Sequence, residues 1–214
     1  YRMRIGMSRL LGRLMAGLLA TLATSFLATV YANPTGGKVQ AGVVTITTPT
    51  ANSMVVNQAT NKAVIDWNTF SIARNESVQF VQPGASSVAL NRVVGGDLSS
   101  IYGSLTANGQ VFLVNPAGVM FAPGARVDVG GLVASTLNLS NTDFLNGNYT
   151  FTGSGGSVVN QGSIKAGYVA LAGAQVTNSG TIDATGGSVG LLAGSRVSVD
   201  ANGSGLVKYS VDAG

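Results

Sequence analysis

The sequence of 214 residues contains no cysteine and no histidine, and only 9% of its residues are charged. The absence of cysteine excludes disulfides, thiolate nucleophiles and cysteine-ligated metals. The absence of histidine removes the commonest general base and the commonest metal ligand. The eight acidic residues lie singly along the chain, so no carboxylate cluster of the kind used in acid and base catalysis stands out. We therefore expect no enzyme, no cofactor and no metal site.

The positive charge is concentrated at the N-terminus. The formal net charge is +4, but Arg2, Arg4, Arg9 and Arg13 account for four of the twelve basic residues and none of the acidic residues precedes position 33. Residues 33–214 therefore carry as many acidic as basic residues. No basic patch is left to attract phosphate groups, so we expect no nucleic-acid partner.

Residues 1–32 have the form of a secretory signal peptide. The arginines are followed by the uncharged run 14–32, which ends in Val30, Tyr31 and Ala32 before Asn33. This order predicts cleavage after Ala32 and export of a domain spanning residues 33–214. A membrane anchor is the alternative, since the run approaches the length of a bilayer-spanning helix.

The rest of the chain has the composition of short β-strands. Clusters rich in Val, Ile, Thr and Phe alternate with Gly and Asn, and no window after residue 32 has the periodicity of an amphipathic helix. A repeat of about 20 residues is also visible, in which NQGSIKA at 160–166 aligns with NSGTIDA at 178–184, Val169 with Val189, and Val176 with Val197.

This repeat predicts an all-β parallel β-helix. A unit this short cannot bury its apolar side alone and must stack on its neighbours, which gives roughly nine rungs for residues 33–214. A β-sandwich is the alternative architecture. Asn160 and Asn178 are expected to stack as a ladder. The residues predicted to fill the interior are Ile164, Leu171, Val176, Ile182, Leu191 and Val197.

Two segments depart from the repeat. Asn146-Gly147, within DFLNGNYTF at 143–151, is the dipeptide typical of a tight β-hairpin, so we predict an extra-helical β-hairpin there. Residues 33–60 are predicted to form an N-terminal cap, because a bare rung exposes unpaired backbone groups. Asp183 and Asp200 are the only acidic residues separated by nearly one repeat, and we interpret them as solvated corner residues rather than an active site.

Two further groups of residues are candidates for function. Trp67 and Phe70 are the largest apolar side chains of the N-terminal third; core or cap packing and a platform for stacking glycans are both possible roles. The island Asn115-Pro116-Ala117-Gly118 interrupts the apolar segment VFLVNPAGVMF and has the residues preferred in a type I turn. We predict a corner between two strands of one rung.

The longer motifs resemble a known family, the N-terminal secretion domain of two-partner secreted exoproteins of the filamentous haemagglutinin type, also called the haemagglutination activity domain. The resemblance rests on motifs that span nearly the whole of residues 33–214, in order. These motifs are IDWNTFSI (65–72), VQFVQPGASSVALNRVVGG (78–96), IYGSLTANGQVFLVNPAGVMF (101–121), GLVAST (131–136) and the paired G-x-I-x-A repeats.

The resemblance implies a right-handed parallel β-helix with an N-terminal cap and extra-helical strands. It implies a partner, an outer-membrane β-barrel transporter with periplasmic POTRA domains, and folding at the cell surface after export. The family's Asn-Pro-Asn-Gly turn corresponds to Asn115–Gly118, with Ala117 replacing asparagine. A second Asn-Pro motif of some members is missing, and Asn91 and Arg92 lie in that region as further candidates for transporter recognition.

Two classes of function follow from these observations. In the first, the chain is the secretion-targeting and folding-nucleation domain of a large secreted or surface-exposed adhesin or other exoprotein. In the second, it is a carbohydrate- or cell-binding adhesin domain in its own right, with host or bacterial surface glycans as partners. Whether the transporter reads the Asn115–Gly118 corner directly, or needs only the fold that this turn permits, stays open, and turn chemistry favours the structural role.

Overall fold

The computed structural model describes residues 33–200 and 208–212, and the predicted signal segment 1–32 lies outside them. The described residues form a parallel β-solenoid of about six turns with about 3% helix. The prediction of an all-β parallel β-helix is therefore confirmed. No helix within the described ranges is long and apolar enough to cross a bilayer.

Three sheets form the walls of the solenoid. The first sheet contains β1 (Lys38–Ala41), β4 (Lys62–Trp67), β6 (Val88–Val93), β9 (Gln110–Val114), β12 (Gly131–Ser135), β16 (Val169–Gly173) and β19 (Val189–Ala193). The second contains β2 (Val44–Thr50), β3 (Ser53–Gln58), β5 (Ser77–Val81), β8 (Ser104–Ala107), β11 (Arg126–Val129), β15 (Ser163–Ala166) and β18 (Thr181–Asp183). The third contains β7 (Ser99–Ile101), β10 (Val119–Phe121), β14 (Ser157–Asn160) and β17 (Gln175–Asn178).

An outer layer packs on the first sheet. It consists of the short helix α1 (Asn141–Asn146) and an antiparallel sheet of β13 (Thr150–Thr152), β20 (Arg196–Asp200) and β21 (Lys208–Asp212). The predicted hairpin at 143–151 is wrong, because Asn146 ends α1 and Gly147 forms its C-terminal cap with φ of 82°. Extra-helical strands do exist, but they are β13, β20 and β21.

The cap is shorter than predicted. β1 and β2 pair antiparallel with β4 and β3, so they close the end of the solenoid without joining its parallel stack. β3 pairs parallel with β5 and already belongs to the first turn. The prediction of a cap at 33–60 is therefore correct for the residues before β3 and wrong for β3 itself.

Apolar residues fill two separate cores. The interior core takes residues from all three sheets, including Phe80, Leu105 and Ile164. The second core lies between the first sheet and the outer layer and includes Leu90 and Phe112. Because the inner strands of the first sheet (β4, β6, β9, β12 and β16) are buried on both faces, they are nearly continuous apolar runs rather than alternating patterns.

Only some of the residues that were predicted to fill the interior are buried there. Ile164 and Leu171 are buried in the interior core, and Val176 and Ile182 are partly buried against it. Leu191 pairs with Leu171 on the last rung and is 49% exposed. The alignment of Val176 with Val197 is wrong.

The reason lies in the strand pairing of these two residues. Val176 pairs with Val158 in the third sheet. Val197 lies in the outer layer, where it belongs to the second core. The predicted Asn ladder is confirmed, because Asn160 Nδ2 donates to Asn178 Oδ1 at 2.8 Å.

Candidate functional site

The Asn115–Gly118 island forms the corner between β9 and β10, as predicted. The Gly118 N–H donates to the Asn115 carbonyl at 3.0 Å, which closes a four-residue turn. The Ala117 N–H donates to Asn115 Oδ1 at 3.0 Å, so the side chain of the first turn residue caps the turn backbone. Gly118 has φ of 130°, and a Cβ there would lie 2.7 Å from Leu98 Cδ1. Both the backbone angle and the available space therefore favour glycine.

The Asn115 side chain is fully buried and ties the corner to the preceding rung. Its Nδ2 donates to the Asp97 carbonyl and to Ser99 Oγ, each at 2.9 Å. With Oδ1 accepting from Ala117, the amide uses both its donor and its acceptor groups. Aspartate could not replace these two donated bonds and would bury a negative charge, so asparagine is the residue that this corner requires.

The corner divides into a buried anchor and an exposed tip. Asn115 and Gly118 are buried, whereas Pro116 and Ala117 are exposed. The next rung also holds the tip in place, because the Gly156 N–H donates to the Pro116 carbonyl at 2.9 Å. In the folded chain, only the side chains of Pro116 and Ala117 are available to a partner at this corner.

Asn91 lies inside the solenoid, on β6. It is fully buried, and its Oδ1 accepts a hydrogen bond from Trp67 Nε1 at 3.0 Å. Its Nδ2 donates to the Ala89 and Phe112 carbonyls, each at 3.3 Å. Asn91 is therefore a satisfied core asparagine and presents no surface in the folded chain.

Arg92 lies on the opposite face of β6 and holds the outer layer. Its Nη1 is 3.2 Å from Asp66 Oδ1, and its Nη2 donates to the Leu139 carbonyl just before α1. Arg92 pairs with Val114, the residue before the Asn115 corner, so the structure does place the two candidate regions on neighbouring rungs. Their side chains nevertheless make separate contacts.

Trp67 and Phe70 pack in the interior core. Each is 1% exposed, and their rings meet edge to face with centroids 5.6 Å apart. The cap covers this pair, since a Cβ on Gly37 would lie 2.6 Å from the Trp67 ring. Their burial supports the core interpretation and leaves neither ring available for stacking against a glycan.

Lys62 contacts the outer layer, and the sequence pattern did not predict this contact. Its Nζ donates to the carbonyls of Phe144 at 3.1 Å and Leu145 at 2.8 Å, at the C-terminal end of α1. The same ammonium lies 5.8 Å and 5.6 Å from the ring centroids of Phe144 and Tyr149. Lys62 thus binds the outer layer to β4 through carbonyls and ring faces, and burial lowers its pKa.

The structure does not bring Asp183 and Asp200, the two acidic residues separated by nearly one repeat, together on neighbouring rungs. Asp183 belongs to β18 of the second sheet and Asp200 to β20 of the outer layer, so the two are not stacked on adjacent rungs. Residues 33–200 and 208–212 contain no group of three or more His, Cys, Asp or Glu side chains that could hold a metal ion.

Comparisons with known proteins agree with this architecture. A family model described as the TPS secretion domain matches residues 28–211. A heme/hemopexin-binding protein of Haemophilus influenzae strain Rd is 42% identical over 179 residues, which cover 77% of this chain and 20% of that protein. A second heme/hemopexin-binding protein of Haemophilus influenzae is 46% identical over 111 residues, or 52% of this chain and 12% of that protein.

A solved structure has a similar fold. The crystal structure of the HMW1 secretion domain from Haemophilus influenzae superimposes with a TM-score of 0.75 at 32% sequence identity, covering 85% of this chain and 50% of that one. The chain thus spans a fifth or less of the curated relatives it matches and half of the solved domain.

Proposed function

The chain belongs to the TPS secretion domain family, and on that premise we propose that it targets a large exoprotein for secretion and nucleates its folding. Secretion domains of this family belong to proteins that are secreted or displayed at the cell surface. Their partner is a cognate outer-membrane transporter. TPS secretion domains are not enzymes, and we propose no catalytic role for this one.

The proposed route has three steps. Residues 1–32 direct export across the inner membrane and are removed after Ala32. The POTRA domains of the β-barrel transporter then recognise the chain in the periplasm. Folding follows at the cell surface. The observation that carries this proposal is the family match over residues 28–211, on a solenoid that matches a solved secretion domain.

The two ends of the solenoid support a role in nucleating folding. At one end the antiparallel strands β1 and β2 cover the first turn. At the other end β17, β18 and β19 are the edge strands of their sheets among the described residues, and Val189 and Leu191 of β19 are 47% and 49% exposed. Unpaired backbone groups on parallel edge strands form a template on which a further rung can be added.

The buried anchor and the exposed tip of the Asn115 corner allow folding and recognition to be tested separately. We expect Asn115→Ala to destabilise the fold by about 2 to 4 kcal/mol, because three hydrogen bonds and the packing of a buried side chain are lost. Secretion of this variant should fall with its stability. We expect Ala117→Glu to fold normally and to be secreted at the parental level, because the side chain points into solvent at a position where a type I turn tolerates most residues.

Unfolding midpoints of the purified variants and the secreted amounts, with and without the transporter, provide the measurement. If Ala117→Glu folds normally but accumulates in the periplasm, the transporter reads the corner directly and the structural role is wrong. If both variants are secreted at the parental level whether or not the transporter is present, the two-partner route itself is wrong.

The names of two relatives refer to heme and hemopexin, and we propose that heme ligation is not a task of this chain. Protein ligands of heme iron are usually His, Cys, Met or Tyr. The chain has neither His nor Cys. Among the described Tyr and Met residues, Tyr149 and Tyr168 are buried in the second core and Met54 in the interior core, whereas Tyr102, Tyr209 and Met120 are at least partly exposed. The absence of His and Cys therefore carries this proposal, which concerns only this chain.

A further inference from the structure

Two arginines at one corner of the solenoid have no partner within the described part of the chain. Of the arginines between residues 33 and 200, Arg92 is paired with Asp66 and Arg196 with Asp212. The guanidinium groups of Arg74 and Arg126 have no hydrogen-bond or ion-pair partner among the described residues. Both side chains are exposed, and both line one concavity of about 330 Å³.

A rigid turn presents Arg74. The Glu76 N–H donates to the Ala73 carbonyl at 3.1 Å, and the Ala73 N–H donates to Glu76 Oε2 at 2.9 Å. The intervening Asn75 has φ of 65°, an angle that asparagine tolerates better than most residues. Glu76 also lines the concavity, but its side chain is buried and its carboxylate is bound to the turn. Arg74 is therefore held on a fixed backbone before β5 begins.

Arg126 lies two rungs further along the same corner. It begins β11, directly after a turn in which the Ala125 N–H donates to the Ala122 carbonyl at 2.9 Å. β5, β8 and β11 are successive parallel neighbours, so the two corners are about 10 Å apart at the usual strand spacing. Arg74 reaches across this gap, since its Nη1 lies 3.9 Å from the Cβ position of Gly124.

An exposed aromatic side chain belongs to the rung between the two arginines. Tyr102 precedes β8, is 36% exposed and lines the same concavity, together with Ser104. Its backbone is fixed, because the N–H groups of Tyr102 and Gly103 donate to the Ile72 carbonyl at 2.7 Å and 3.1 Å. Arginine, tyrosine and arginine therefore succeed one another on three stacked rungs.

From this geometry we infer that the corner of Arg74, Tyr102 and Arg126 is a binding site for an anionic saccharide. Guanidinium groups bind carboxylate, sulfate and phosphate oxygens with paired hydrogen bonds. An exposed tyrosine ring offers an apolar face for a sugar ring, and the Ser104 hydroxyl offers a hydrogen-bonding group beside it. The volume is at the lower end of the range for small-ligand sites and suits one charged sugar unit.

The site does not depend on the net charge of the domain. Residues 33–214 carry equal numbers of acidic and basic residues, so the domain as a whole has no general attraction for polyanions. The site lies at a different corner of the solenoid from Asn115–Gly118, between the third and the second sheet. Loss of glycan binding and loss of secretion can therefore be observed separately.

Calorimetric titration of the purified chain with a sulfated hexasaccharide tests the inference. We expect binding that weakens with salt, and Arg74→Gln combined with Arg126→Gln should weaken it about tenfold or more, since charge-assisted hydrogen bonds are lost. Tyr102→Ala should weaken binding of the sugar while leaving the weak binding of inorganic sulfate unchanged. Lys38→Gln combined with Lys208→Gln removes the same charge from other exposed positions, and this control should change the affinity less than about twofold.

Titrations with other oligosaccharides identify the anionic group that the site binds. A carboxylated and a phosphorylated oligosaccharide show which anionic group the arginines prefer, and the desulfated hexasaccharide should not bind. The inference is wrong if the parent chain does not bind any anionic saccharide, or if the arginine pair and the lysine pair have equal effects. It is also wrong if an acidic peptide of equal charge binds as tightly as the saccharide, because the corner would then fit an acidic protein surface.

Discussion

At the scale of single residues, polar side chains stabilise positions that the sequence pattern describes only as apolar. Asn91 is on a strand buried on both faces, where asparagine is uncommon, and nothing in its sequence context distinguishes it from a surface residue. Its role becomes visible only when the fold brings Trp67 within hydrogen-bonding distance. The Asn115 corner was predictable because Asn-Pro-x-Gly is a local turn signal, whereas the bond from Asn91 to Trp67 joins residues on different rungs.

The Trp67–Asn91 bond gives a prediction at this scale. Asn91→Ala should lower the free energy of unfolding by about 2 to 4 kcal/mol, because it leaves the buried Trp67 N–H and two backbone carbonyls without their amide partner. Trp67→Phe should cost less in the Asn91→Ala background than in the parent chain. Urea denaturation of the parent, the two single variants and the double variant measures the coupling. If the two effects add within about 0.5 kcal/mol, the hydrogen bond does not couple the residues.

At the scale of elements, the same dipeptide supports two different structures. Asn-Gly is typical of a two-residue hairpin turn, but glycine with positive φ also ends helices. Ser140 caps α1 by accepting from the Asp143 N–H at 3.0 Å, and Gly147 ends it by donating to the Asp143 and Phe144 carbonyls. The Ser140-x-x-Asp143 signal was present in the sequence. The helix is stabilised by packing Phe144 into the second core, and that tertiary contact is not evident from local propensity.

The rungs differ in length, so a uniform repeat of about 20 residues predicts only some of the strand pairs. Val169 pairs with Val189 at the predicted spacing of 20 residues, but Leu132 pairs with Val169 after 37, since the outer-layer segment is inserted between them. Lys62 pairs with Val88 after 26 residues. The insertion, the cap and the outer strands use residues that a uniform period assigns to rungs. The solenoid therefore has about six turns rather than the nine predicted.

The cap of α1 gives a prediction at the scale of elements. Gly147→Ala should destabilise the chain by about 1 kcal/mol, because φ of 82° is unfavourable for any residue with a Cβ. The cost comes from the backbone alone, since the nearest atom to that Cβ is Lys62 Nζ at 3.6 Å. Gly84→Ala is the matched control, because no atom lies within 4 Å of its Cβ position and its φ is not positive. Equal thermal shifts for the two variants would contradict the assignment of Gly147 as a helix cap.

At the scale of the whole molecule, the outer layer covers one wall of the solenoid, so that the inner strands of the first sheet are buried on both faces. Three tyrosines make contacts in the interface between the first sheet and the outer layer. Tyr168 donates from its hydroxyl to Gln110 Oε1 at 2.6 Å, and the Tyr209 hydroxyl donates to the Val169 carbonyl at 3.0 Å. Tyr149 packs edge to face on Phe112 with centroids 4.9 Å apart. Ionisation of these phenols would place negative charge in this largely buried interface.

The tyrosines therefore predict that the chain loses stability at alkaline pH. Burial raises the pKa of Tyr149, burial together with the neighbouring Tyr149 and Tyr209 phenols raises the pKa of Tyr168, and burial raises the pKa of Tyr209 to about 12. In the unfolded chain tyrosine ionises near pH 10, so above that pH the unfolded state binds fewer protons than the folded state. The stabilisation is complete below about pH 10 and is lost progressively as the pH rises towards the folded pKa values.

For Tyr168, which is 7% exposed, the loss approaches about 1.4 kcal/mol per pH unit above pH 10. Lys62 acts in the opposite sense, because its lowered pKa leaves the unfolded state with more bound protons. Urea midpoints measured from about pH 8 to about pH 11, together with phenolate absorbance, test this pH profile. Tyr168→Phe should be less stable at neutral pH, through loss of the bond to Gln110, yet should decline less steeply above pH 10. Parallel declines in the parent and the variant would show that the outer layer does not depend on a protonated Tyr168.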